Sequence, residues 1–284
     1  MARCYRSELV GVFGNPIDEN PTGVMEEAAF AAKGLDYRYI TMKVEKENLE
    51  TAMKAIRALN MRGINLTIPH KVNALKYVDE LSPEAEIIGA INVVVNNNGV
   101  LRGDNSDGKG FLKSVTDRGI DLTGKTVTIL GAGGAARAIS VESAMHGAKK
   151  INIINVSETR GKELADLLNE KTNAEAEYIN WVPGISIPAD TTLLVNATPL
   201  GLYPNVNERA DIDYDSIMPD MVAADVVFND PNTLFLQAAA QRGAMTINGL
   251  GMLANQGALN FKLWTGVEAP MDIMVDTLRK EFGL

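Results

Sequence analysis

The sequence is short of the residues that staple or metallate a fold. Its 284 residues include one cysteine, Cys4, and two histidines, His70 and His146. A single cysteine excludes an intrachain disulfide and fits a reducing compartment, so a cytoplasmic location is expected. Two histidines far apart in sequence, with one thiol, fall short of a zinc ligand set, and no metal is expected. Aromatic residues make up 6% of the chain, and the two tryptophans, Trp181 and Trp264, are widely separated. They suggest packing and not a base-stacking platform. No window approaches 18 uninterrupted apolar residues, so no membrane span is expected. The opening MARCYRSELVGVFG has two arginines and no apolar h-region, so it does not read as a secretory signal. Positive charge is in deficit: 27 Lys and Arg stand against 36 Asp and Glu, a net charge of −9. That balance excludes a general nucleic-acid surface, which needs a basic stripe. An anionic ligand would meet a mildly repulsive overall field, which local positive groups have to overcome.

What is present is the balance of a globular protein, 46% hydrophobic and 22% charged. The length is comfortable for two domains. Strand-like and helix-like segments alternate along the chain. ELVGVFG (8–14) reads as a strand stopped by Gly14-Asn15-Pro16, and PTGVMEEAAFAAKG (21–34) as a helix with Val24, Ala28 and Ala31 on one stripe. YRYITMKV (37–44) reads as a strand, ENLETAMKAIRALN (47–60) as a helix with Leu49, Met53, Ile56 and Leu59 inward, and GINLTIP (63–69) as a short strand. KVNALKYVDEL (71–81) has an amphipathic pattern, and AINVVVNNNGVLRG (90–103) reads as a hairpin around Asn97-Asn98-Gly99. The second half continues with a strand–turn–helix–strand unit over 125–156 and a helix over 159–172. Buried-type strands lie within 191–201 and 221–229, and helices over 233–243, 253–267 and 271–284. Such alternation predicts an α/β fold with mostly parallel sheets and helices on both faces. A domain boundary is expected within 103–125, where Gly and Asp are dense.

Residues 131–136 read GAGGAA, a G-x-G-x-x-A pattern between an apolar strand and a helix. That context points to dinucleotide binding. Gly131 permits the tight turn, Gly133 lets the backbone approach a pyrophosphate, and Ala136 lets the helix pack close to the strand. Gly131, Ala132, Gly133, Gly134 and Ala135 are therefore candidate cofactor-binding residues, with the helix N-terminus facing the phosphates. The next strand ends at Asn155, where an NAD enzyme often has an acid, and Val156 follows instead of an arginine. Glu158 would contact a ribose diol and repel a 2′-phosphate, whereas Arg160 would do the reverse. The cofactor is expected to be NAD(P), with a lean to NAD(H).

Lys71 follows NLTIPH, at the end of a strand, where α/β proteins build their sites. GDNSDGKG places Asp104, Asn105 and Asp107 at the expected junction. A lysine and an aspartate converging on a carbonyl beside a nicotinamide would make an oxidoreductase, with hydride going to carbon and a proton to oxygen.

The chain resembles the shikimate/quinate dehydrogenase family along nearly its whole length. The matching stretches, in the family's order, are FGNPI (13–17), NLTIPHK (65–71), GAINVVV (89–95), GDNSDGKGF (103–111), ILGAGGAARA (129–138), NATPLG (196–201) and GLGMLANQGALNFKLWTG (249–266). The resemblance implies a discontinuous substrate domain and a Rossmann-type NAD(P)-binding domain with a cleft between. The expected division is 1–105, completed by 245–284, for substrate, and 106–244 for cofactor. It implies Lys71 and Asp107 as the catalytic pair. It also implies Thr67, Asn92, Asn105 and Gln256 as substrate contacts, and Asn196, Thr198 and Gly249 near the nicotinamide half of the cofactor. The implied reaction is reversible hydride transfer to a ring ketone of a cyclic polyol acid. The implied partners are small molecules, with no nucleic acid and no membrane, in a monomer or homodimer.

The pattern breaks at the family's Ser-x-Ser-Pro motif, whose hydroxyls bind the substrate carboxylate. Here Asn20 and Thr22 fall on the serine positions and Gly23 on the proline, with Asp18 and Glu19 just before. Phe228 stands where relatives often carry tyrosine. Asn20, Thr22 and Phe228 are thus candidate substrate contacts that point to an altered substrate, such as quinate, another cyclitol or a sugar-derived ketone. Two other classes fit the same pattern: a non-catalytic, nucleotide-dependent sensor, and another user of the nucleotide fold, such as a methyl transferase.

Overall fold

The computed structural model describes residues 5–284, and Cys4 lies outside them. The chain divides into two compact units, Met1–Ser106 with Gln256–Leu284, and Asp107–Asn255.

The first unit begins β1 (Glu8–Gly14), α1 (Thr22–Ala32), β2 (Tyr37–Lys43), α2 (Leu49–Ala58) and β3 (Gly63–Leu66). It continues with β4 (Glu80–Leu81), α3 (Pro83–Ile88), β5 (Val93–Asn97) and β6 (Val100–Asp104). One sheet runs β2-β1-β3-β5-β6-β4. Its first three strands are parallel, β5 is antiparallel to both neighbours, and β4 is parallel to β6. The apolar run of β1 is buried along its last five residues, as a strand covered on both faces requires. Asn98 and Gly99, with φ of 53° and 98°, close the β5–β6 hairpin in the two-residue geometry that Asn-Gly favours. Phe13, Met53, Ile56, Ile64, Leu66, Ile91, Val94 and Leu101 form the core on one side of the sheet.

Three local readings of the sequence change. Helix α1 turns Thr22, Met25, Glu26, Ala29 and Phe30 inward, while Val24 is exposed. Apolar residues nearly encircle this helix, so the side chains with most area to bury, Met25 and Phe30, decide its orientation. Leu59 caps α2 beyond its last turn and is 61% exposed. The 71–81 segment forms only a 3₁₀ turn over Asn73–Tyr77 before β4. There Asp79 accepts from the Leu101 N–H at 2.7 Å and from Arg57 at 2.6 Å, and its own N–H donates to Leu101 O at 2.8 Å. These bonds draw the chain out alongside β6.

The second unit holds α4 (Ser106–Thr116), β7 (Thr126–Leu130), α5 (Gly134–Met145), β8 (Lys150–Asn155), α6 (Glu158–Lys171) and β9 (Glu175–Asn180). Then follow β10 (Ile185–Ser186), β11 (Thr191–Asn196), β12 (Ile212–Asp213), β13 (Val222–Asp225), α7 (Leu234–Gln241) and β14 (Met245–Ile247). Its main sheet, β14-β13-β11-β7-β8-β9, is parallel throughout. Strand order reverses between β7 and β11, the switch point at which open α/β sheets bind ligands. β10 and β12 form a small separate pair.

Helix α8 (Gly249–Thr265) runs from the second unit into the first, and α9 (Met271–Glu281) follows. In the first unit Phe261 stacks on Phe30 with centroids 5.2 Å apart, and Phe30 stacks on Tyr37 at 5.0 Å. Trp264 is 2% exposed and its indole N–H donates to Val94 O at 3.1 Å. The C-terminal helices therefore complete the first unit's core. No described helix is long and apolar enough to cross a membrane.

Candidate active site

In the first unit the strand β3 leads into the loop that carries Thr67 and Lys71. The strand stops at Leu66, short of the expected Pro69, and the Ile68–Pro69 bond is cis. The loop backbone is tied down on all sides. Thr67 N–H donates to Phe13 O at 3.0 Å, Asn15 N–H to Ile68 O at 2.9 Å, and Ile91 N–H to Lys71 O at 2.9 Å. His70 is buried, with Nε2 2.8 Å from Val44 O, so it anchors the loop and leaves Lys71, half-buried, beside it. A lysine on a loop pinned this way carries its charge on a fixed base, which acid–base work requires.

The same unit holds a set of buried amides. Asn92 donates from Nδ2 to Ser106 Oγ at 3.0 Å and accepts from Ser106 N–H at 2.8 Å. Asn105 donates to Ala90 O at 3.1 Å. Asn65 donates to Asn92 O at 3.1 Å and accepts from the Tyr39 hydroxyl at 2.9 Å. Gln256, on α8, accepts at Oε1 from Asn260 Nδ2 at 3.0 Å. Asn20 accepts at Oδ1 from Thr22 N–H at 3.0 Å, so the asparagine secures the start of α1. Thr22 is buried, whereas Asp18 and Glu19 face solvent.

The second unit holds the glycine turn, at the switch point. Gly131 has φ of +109° and its N–H donates to Ile154 O at 2.8 Å; a Cβ there would come within 3.2 Å of Ala197 O. Gly133 and Gly134 have open space where a Cβ would stand, and no side chain caps α5. Ala135 lies in its first turn. Uncapped N–H groups and side-chain-free space above them suit a pyrophosphate, so the residues present fit a dinucleotide.

A cavity of about 570 Å³ fronts this turn, the size of a small-molecule site. Gly131, Ala132, Gly133, Asn155, Arg160 and Thr198 line it, as do Trp181, Arg209 and Asp211. Asn155 donates to Ser157 O at 2.8 Å. Glu158 is absent from the lining; it pairs with Lys162 at 2.7 Å, whose hydrogen bond and charge lower its pKa. Asn196 is fully buried: it donates to Asp225 Oδ1 at 3.0 Å and accepts from the Thr198 hydroxyl at 2.6 Å. Burial raises the Asp225 carboxyl to about 6 against three stabilising hydrogen bonds. Gly249 has no room for a side chain, since a Cβ would lie 2.4 Å from Val227 O. Phe228 is half-buried on the loop after β13, and Asp107 sits in the first turn of α4, where a carboxylate suits the helix dipole.

Trp181 and Arg209 were not legible as site residues. Trp181 directly follows β9, and its polar strand EAEYIN carries little apolar signal; Arg209 lies in an irregular segment with no motif. Among the described residues no group of His, Cys, Asp and Glu is arranged to hold a metal ion.

A parallel, doubly wound sheet with a glycine turn and an uncapped helix at its switch point defines the second unit as a Rossmann-type dinucleotide-binding unit. Family comparison makes this specific. The model for the shikimate dehydrogenase substrate-binding domain matches residues 12–94, and that for the shikimate 5′-dehydrogenase C-terminal domain matches 249–279. The chain belongs to the shikimate dehydrogenase family. The NADP(+) shikimate dehydrogenase of Desulforamulus reducens is 39% identical over 97% of this chain and 96% of its own. The ligand-free 5-ketofructose reductase of Gluconobacter sp. strain CHM43 is 41% identical, covers 98% of this chain and 100% of its own, and superposes with a TM-score of 0.94. The shikimate 5-dehydrogenase of Listeria monocytogenes, solved with shikimate and NAD, is 35% identical over 95% of this chain and 96% of its own, with a TM-score of 0.89.

Proposed function

We propose that this protein is an NAD(P)-dependent oxidoreductase that moves a hydride between nicotinamide and a ring hydroxyl or ketone of a shikimate- or quinate-like cyclic polyol acid. The open, uncapped N-terminus of α5 beside a cavity of about 570 Å³ is the observation that carries the reading. The second unit holds the cofactor and the first holds the substrate. Gly131 to Ala135 receive the pyrophosphate; Asn196, Thr198 and Gly249 serve the nicotinamide half. The cofactor, when bound, supplies or accepts the hydride. Lys71 gives the proton to the carbonyl oxygen in reduction and takes it back in oxidation, with Asp107 as its acid–base partner. Thr67, Asn92, Asn105 and Gln256 hold the ring hydroxyls, and Thr22, Asn20 and Phe228 shape the wall that relatives use for a carboxylate. The protein works in the cytoplasm as a monomer or homodimer.

A second reading is reduction of an uncharged, sugar-derived ketone. Asn20 Oδ1 is engaged by Thr22 N–H, and Gly23 replaces the proline of the family's carboxylate motif. The Gluconobacter relative, with high similarity over the full chain, is a reductase of 5-ketofructose.

The test is NAD(P)H turnover against a panel of cyclic polyol acids, uncharged cyclitols and keto-sugars. The expected result is turnover that falls at least about 100-fold in kcat in Lys71→Ala, the usual worth of general acid–base catalysis. Tight ligand binding without turnover anywhere on the panel would instead identify a sensor.

A further inference from the structure

Glu26 lies on α1 one turn after Thr22 and on the same inward face. It is fully buried, and neither carboxyl oxygen has a hydrogen-bond partner among the described residues. Helix α8 covers it: a Cβ built on Gly257 would stand 3.3 Å from Glu26 Oε1. On the sheet side is Tyr39, whose hydroxyl donates to Asn65. Burial raises the Glu26 carboxyl well above the usual carboxylate range; the Tyr39 phenol is raised too, by its own burial first and by Glu26 second. An acid in this setting keeps its proton and becomes a donor that needs an acceptor.

Helix α8 carries a buried acceptor that lacks a donor. Asn260 stands three residues after Gly257, on the same helix face, and is fully buried. Its Nδ2 donates to Gln256 Oε1 at 3.0 Å, and its Oδ1 has no partner among the described residues. A buried donor on α1 and a buried acceptor on the helix that covers it are thus each unsatisfied, and leaving either unmade is costly.

We propose that Glu26 donates a hydrogen bond to Asn260 Oδ1 and so fixes the direction of a relay, Glu26 to Asn260 to Gln256, that presents the Gln256 N–H donors to the substrate. The direction follows from amide chemistry. Asn260 with its oxygen engaged offers N–H to Gln256; Gln256 with its oxygen engaged offers N–H in turn, so it meets a ketone oxygen or a hydroxyl lone pair. An ionised Glu26 would draw the Asn260 N–H₂ towards itself and reverse both amides. Glu26 is therefore a positioning residue. The inference rests on the proposed role of Gln256 as a substrate contact.

The test compares wild type, Glu26→Gln, Glu26→Met and Gln256→Leu on the best substrate of the panel. In Glu26→Met, substrate KM should rise roughly tenfold, the effect of one lost buried hydrogen bond. Its kcat and cofactor KM should stay within about threefold of wild type, a change smaller than one hydrogen bond carries. Glu26→Gln, whose amide still donates, should keep the wild-type KM, and Gln256→Leu should raise it at least as much as Glu26→Met. An unchanged KM in Glu26→Met, or an equal rise in Glu26→Gln, overturns the relay. If Glu26→Met does not fold, Asn260→Leu takes its place with the same expectation. Infrared difference spectra of wild type against Glu26→Gln need no turnover. A protonated-carboxyl carbonyl band at neutral pH supports the relay, and ionised-carboxylate bands alone overturn it. Absence of wild-type turnover on the panel overturns the proposed reaction, separately from the infrared result.

Discussion

At the scale of residues, cofactor choice turns on two arginines. Arg160 and Arg209 both line the cavity, while Glu158, which together with Val156 carried the lean to NAD(H), is engaged by Lys162. Arg209 packs over the Tyr214 ring at 4.6 Å from its centroid, which holds the guanidinium in place. Two cations beside Asn155 and the uncharged Val156 suit a 2′-phosphate. Arg209→Ala is therefore expected to raise KM for NADPH about tenfold or more, and KM for NADH less than about threefold, given the usual strength of a charged hydrogen bond. Steady-state kinetics with both cofactors checks this, and equal rises would leave Arg209 no part in phosphate recognition. Single residues were unequally legible. The position of Lys71 after a strand was readable from NLTIPHK, because an apolar run and a proline mark a strand end. Glu26 was not, because a glutamate in a helix reads as solvent-facing until the partner helix, more than 200 residues later in the chain, is seen to cover it.

At the scale of elements, the end of β13 ties the glycine turn's neighbour strand to the loop that follows. Asp225 accepts from Asn196 Nδ2 at 3.0 Å, Val227 N–H at 3.0 Å and the Thr233 hydroxyl at 2.7 Å. Burial nevertheless raises its pKa from 3.8 to about 6. A folded-state pKa above the unfolded value means that the native protein holds a proton the unfolded chain has released. The contribution is fully present below about pH 4 and is lost as pH rises to about 6, by up to about 3 kcal/mol. Urea unfolding of wild type and Asp225→Asn across that range should show the wild-type advantage shrinking with pH and levelling off above it. A difference that does not change with pH would mean an ordinary carboxyl. Elements with a strong period or turn signal were readable from sequence: β1, the Asn98-Gly99 hairpin and the β7–α5 turn. The elements that were not readable were set by distant partners or lie at sheet edges. Asp79 ties the amphipathic 71–81 segment to Leu101 and Arg57, which leaves it one 3₁₀ turn before β4, and the edge strands β9 and β14, with half or more of their side chains outward, carry little apolar pattern.

At the scale of the whole molecule, each unit carries one of the two tryptophans. Trp264 is sealed in the core of the first, and Trp181 lines the cavity of the second, with its indole N–H donating to Asp211 O at 3.0 Å. The single-tryptophan variants Trp181→Phe and Trp264→Phe therefore give one fluorescence reporter per unit. Cofactor should change the emission of Trp181, seen in Trp264→Phe, and leave that of Trp264 unaltered at low denaturant, since only one indole borders the proposed cofactor site. Cofactor at about 100 times its Kd adds about 2.7 kcal/mol to the stability of whatever folds with that site. The urea midpoint reported by Trp181 should rise accordingly, by at least as much as the midpoint reported by Trp264. Coincident shifts would show one cooperative transition, and a shift confined to Trp181 two separate ones. A midpoint at Trp264 that moves while that at Trp181 stays fixed would put the cofactor on the first unit and refute the division of labour proposed for the two.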